Sequence, residues 1–188
     1  IFFLLTRRWT RDRPRAALVD WARENGFRLR FAPVAELPVA LQSLSALDAR
    51  VDVSLTLGTD ILLSLTTAPK PAAKQPRWHL LIRQTDSSRL PAGLRPIGRG
   101  SSILDLFSLT DYPALLPPER FVVLAADARM AKAMADSPAR GLLPPDVGLM
   151  VHGPFVTIDF SARPFDSIEF ERMRAVMEQV IPKLPGST

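Results

Sequence analysis

The stretch Val147-Gly148-Leu149-Met150-Val151-His152-Gly153-Pro154-Phe155-Val156-Thr157-Ile158-Asp159-Phe160 decides the fold class. Two runs of alternating apolar residues, Val147–His152 and Phe155–Phe160, flank Gly153-Pro154, a dipeptide that marks turns. Folding about that dipeptide sets Val151 opposite Val156, Leu149 opposite Ile158 and Val147 opposite Phe160. Six apolar side chains then share one face, which is the register of a half-buried antiparallel hairpin.

A second hairpin is expected upstream. In Arg50–Leu57, Val51, Val53, Leu55 and Leu57 alternate with Asp52, Ser54 and Thr56. A three-residue loop, Gly58-Thr59-Asp60, leads into Ile61–Thr67 and pairs Leu57 with Ile61, Leu55 with Leu63 and Val53 with Leu65. Further strands are predicted at Phe27–Phe31, around Trp78, Leu80 and Ile82, and at Phe121–Ala125. Residues 68–76 form a proline-rich connector and 86–101 read as a loop, while Ile103–Leu109 suits helix or strand equally.

Helical spacing marks the two ends of the chain. Pro14 can open a helix whose apolar face carries Ala17, Leu18, Trp21 and Ala22, with Gly26 as its stop. A helix over Val34–Leu47 would present Leu37, Leu41 and Leu44. Asp127 caps a short alanine-rich helix, Ala128–Asp136. The final helix opens on a capping box with Asp166 as the cap and Glu169 in the third position. Its stripe is Phe170, Met173, Met177, Val180, Ile181 and Leu184, and Arg174 can pair with Glu171 and Glu178. These elements predict an α+β fold: a largely antiparallel sheet of hairpins packed against N-terminal and C-terminal helices in two layers. A hairpin followed by a long terminal helix also permits a helix-grip arrangement around a cavity.

The charge is unevenly placed. The chain has a formal charge of +5, and residues 1–30 hold eight arginines against three acids, which accounts for all of it. The remaining 16 basic and 16 acidic residues cancel. A nucleic-acid-binding face needs clustered basic residues with interleaved aromatics; the balanced remainder disfavours one. The apolar Ile1–Leu5 runs instead into Arg7, Arg8, Trp9, Arg11, Arg13 and Arg15. An apolar run ending in tryptophan and arginines is the pattern of the cytoplasmic end of a membrane helix. Those six residues are the expected contacts to a membrane surface with anionic lipid, and the chain is expected to continue an apolar span upstream of Ile1. The organisation that follows is residues 1–13 as the end of a membrane anchor and basic juxtamembrane collar, and residues 14–188 as one α+β domain.

Chemistry-bearing motifs are sparse. The chain has no cysteine, which excludes a cysteine nucleophile, iron–sulfur ligation and cysteine-bearing zinc sites. His79 and His152 lack metal-ligand spacing. Gly98-Arg99-Gly100-Ser101-Ser102 lacks the lysine of a phosphate-binding loop, and Asp159 and Asp166 read as an outward-facing strand residue and a helix cap, with Arg163 able to pair with either. No catalytic residue, cofactor or metal is assigned.

The overall pattern resembles a group of uncharacterised bacterial membrane-anchored proteins with a hydrophobic N-terminal anchor and a soluble C-terminal domain. The residues that carry the likeness are Leu4-Leu5-Thr6-Arg7-Arg8-Trp9, Trp21 through Phe27, Arg120-Phe121-Val122-Val123, Ala139 through Pro145, Val156 through Phe160 and the closing helix. The resemblance implies anchoring and domain layout and brings no catalytic residue. The expected role is therefore a non-enzymatic module at the bacterial cytoplasmic membrane, facing the cytoplasm and acting by contact with a protein partner in a membrane complex. Two alternatives stand beside it. One is a ligand-binding domain whose apolar cavity is lined by the Val53/Leu65 and Leu149/Ile158 faces. The other is a hydrolase or transferase whose polar groups converge from distant positions.

Overall fold

The computed structural model describes residues 16–30, 50–66, 77–98, 102–107, 109–115 and 120–186. Residues 1–15, and with them the collar, lie outside the described residues, as do the helix expected over 34–47 and the connector 68–76.

The fold is α+β. Among the described residues, seven strands form one sheet in which every pairing is antiparallel. They are β1 (Arg28–Arg30), β2 (Arg50–Leu57), β3 (Asp60–Thr66), β4 (Arg77–Pro96), β5 (Thr110–Tyr112), β6 (Phe121–Ala125) and β7 (Gly148–Asp159). The 20-residue β4 organises the sheet. Leu80, Leu81 and Ile82 pair with β3 on one edge and β7 on the other. Farther on, Ala92, Gly93 and Leu94 pair with β6 and again with β7. So β3 and β6 lie in tandem along one edge of β4, and β7 runs along the whole of the other.

This corrects two sequence expectations. Residues 86–96 continue β4 and are not a loop. The segment 147–160 does not fold back on itself: it is one bent strand paired with β4. Gln84 is opposite Phe155 and Arg89 opposite Gly153, so six residues of β4 span three of β7 and the ribbon bends there. Gly153 takes φ 57 at that bend, a backbone state that glycine enters without penalty. The predicted facing survives, because Val147, Leu149, Val151, Val156, Ile158 and Phe160 all point into one core cluster.

The β2–β3 hairpin is present with a different register. Its loop has two residues, Gly58 and Thr59, and Leu57 pairs with Asp60, Leu55 with Leu62 and Val53 with Ser64. The shorter loop turns β3 over, so that Leu62 faces the helices while Leu63 and Leu65 face away.

The helices share one layer. Residues 16–24 are helical, and Ala128–Asp136, Ala139–Leu142 and Ser167–Val180 follow. Leu18, Ala22, Met134, Phe170, Met173 and Met177 are buried against the same sheet face as Leu55, Leu81 and Leu149. The opposite face carries a smaller apolar cluster around Leu63, Leu65, Leu80 and Ile82. A short 3-10 turn, Ile103–Leu106, lies across it, with Ile103 and Leu104 buried.

Candidate functional site

The expected membrane-surface residues Arg7, Arg8, Trp9, Arg11, Arg13 and Arg15 lie outside the described residues. What the structure defines is the mount from which they leave. Leu18 and Ala22 are buried, and Trp21, Phe27 and Phe170 form an aromatic triangle with ring centroids 5.2–5.5 Å apart. Edge and tilted contacts of this kind add about 0.5–1.5 kcal/mol each beyond area burial. Phe27 N donates to Ala22 O at 2.8 Å, which closes the helix end onto β1. The first helix is thereby fixed to the C-terminal helix, and Arg23 and Asp20 stay exposed as a surface pair.

The polar junction after β7 is the densest group of functional side chains. Asp159 is fully buried, contrary to the outward-facing position expected from a hairpin. Its Oδ2 accepts from Ile103 N at 3.0 Å and Ser102 Oγ at 3.3 Å, and its Oδ1 accepts from Ser161 N at 3.0 Å and Ser161 Oγ at 2.5 Å. Ser161 Oγ in turn accepts from His79 N at 2.9 Å. The ring of His79 points elsewhere: its Nδ1 lies 3.0 Å from Arg163 O. A carbonyl only accepts, so Nδ1 carries the proton. Ser, His and Asp are thus near one another without the relay of nucleophilic catalysis, in which the imidazole must accept the serine proton. Here the serine proton goes to the carboxylate, and both groups hold backbone in place.

Arg163 pairs with neither Asp159 nor Asp166. Its Nε and Nη2 donate to Asp146 at 2.9 and 2.6 Å, and its Nη1 donates to Glu169 at 2.7 Å. Hydrogen bonding to Asp146, then to Glu169, outweighs burial and holds the guanidinium above the usual arginine range. Glu169 also accepts from Arg172 at 2.9 Å. Asp166 caps the helix through Glu169 N at 2.9 Å, as read from the sequence.

A second buried carboxylate has no sequence signal beyond its place in a turn. Asp60 accepts from Arg83 at 2.5 and 2.7 Å and from Arg174 Nε at 3.2 Å. The bond to Asp60 raises the Arg83 pKa, with Glu178 contributing from 3.7 Å. The helical spacing pairs Arg174 with Glu171 and Glu178. The arginine keeps Glu171 at 3.4 Å and turns its Nε to Asp60, pinning the last helix to the β2–β3 turn.

The residues expected to line one cavity are divided by the sheet: Val53, Leu149 and Ile158 belong to the helix-side cluster and Leu65 to the opposite one. Among the described residues no three His, Asp or Glu side chains converge as a metal site, and no helix is long and apolar enough to cross a membrane.

No family model matches this chain, and no curated protein matches it. Among solved structures, the chain is similar to the crystal structure of the mycobacterial trehalose monomycolate transport factor A, TtfA. The TM-score is 0.58 at 10% identity, over 91% of this chain and 96% of that one. At that identity the likeness is one of fold.

Proposed function

We propose that this protein is a membrane-proximal accessory module that works by protein contact. The observation that carries the reading is the segregation of charge: the whole excess of five lies in residues 1–30, next to an apolar run, while the rest of the chain balances. Arginines near an anionic leaflet are each worth about 1 kcal/mol. The five at positions 7, 8, 11, 13 and 15 would orient a domain whose first helix is fixed by Trp21 and Phe27. Two further points support it. The Ser161–Asp159–His79 group is spent on holding backbone. The fold is shared with a protein named as a transport factor, which agrees with an accessory role in transport at the bacterial cytoplasmic membrane. Anionic lipid and a protein of the same membrane complex are the proposed partners.

Vesicle co-sedimentation tests the reading. The chain is expected to bind vesicles containing anionic lipid and to release them as salt rises, because screening shortens the reach of surface charge. Arg-to-Gln changes at 7, 8, 11, 13 and 15 should weaken binding by roughly fivefold per residue. Undiminished binding by the five-fold variant would sink the collar assignment. Cross-linking in membranes, with the collar intact and neutralised, then asks whether a partner is met only at the surface.

A further inference from the structure

We draw no further inference here: the strongest candidate, the side-chain cluster in which the buried His79 ring lies between Phe160 and Phe165 beside Asp159, Ser161 and Arg163, belongs to the polar junction already described, where its groups hold backbone in place.

Discussion

Asp60 shows how much one side chain can hold in this fold. Its carboxylate is buried and bonded to two arginines, one from β4 and one from the C-terminal helix. Removing one member of a buried pair leaves charge without compensation and typically costs 3–5 kcal/mol. Asp60→Asn is therefore expected to destabilise the domain by about 3 kcal/mol, or roughly 6–12 °C in melting temperature for a chain of this size. Arg23→Ala, which breaks the exposed pair to Asp20, should leave the midpoint unchanged within error, as isolated surface pairs do. Thermal denaturation of the two variants side by side checks both. Gly93 is the converse case, a residue defined by what it lacks. Gly93→Ala must displace Leu104 or the backbone carbonyl of Leu149; overpacking of this kind costs about 1–3 kcal/mol. The displacement should appear as faster amide exchange at Ile103 and Leu104. Neither residue announces itself in the sequence: Asp60 reads as loop polarity and Gly93 as one more glycine in a stretch rich in serine and proline.

At the scale of elements, legibility followed the amount of local information. The helix Ala128–Asp136 and the start of the last helix are marked by their caps, Asp127 and Asp166, and both caps are formed. The segment 147–160 was legible in facing and not in partner. A two-residue turn and a bulge in a continuous strand both shift the alternation by one step at Gly153-Pro154, and both use a glycine at positive φ. What separates them is β4, whose second half carries Asp86, Ser87, Ser88, Pro91 and Gly93 and so looks like loop. The polar residues of that run mark the bend itself. Similarly, the β2–β3 register could not be read from alternation, because β3 is buried on both faces and Leu62 and Leu63 are equally apolar. The bend makes its own prediction. Gly153→Ala places a β-carbon in the left-handed region and is expected to cost about 1–2 kcal/mol, measured by urea denaturation. Gly141→Ala, inside a helical turn with open space around it, should be neutral or slightly stabilising.

At the scale of the whole molecule, the sheet separates two kinds of surface. One face is filled by helices that also carry the mount of the N-terminal segment. The other carries the smaller apolar cluster, crossed by the 3-10 turn Ile103–Leu106. If the proposed collar only orients a folded domain, stability and surface binding must be separable. Trp21→Ala removes the ring that bridges Phe27 and Phe170 and leaves every arginine in place. Loss of a large, partly buried aromatic is expected to cost about 2–3 kcal/mol, lowering the melting temperature by roughly 5–10 °C. Below that transition, binding to anionic vesicles should be unchanged. The arginine-to-glutamine variants at 7, 8, 11, 13 and 15 should do the reverse, losing vesicle binding with no shift in melting temperature, since surface charges of one sign add little to the fold. If the arginine changes also unfold the domain, those side chains are part of its packing, and the charge excess is a structural feature with no bearing on the membrane.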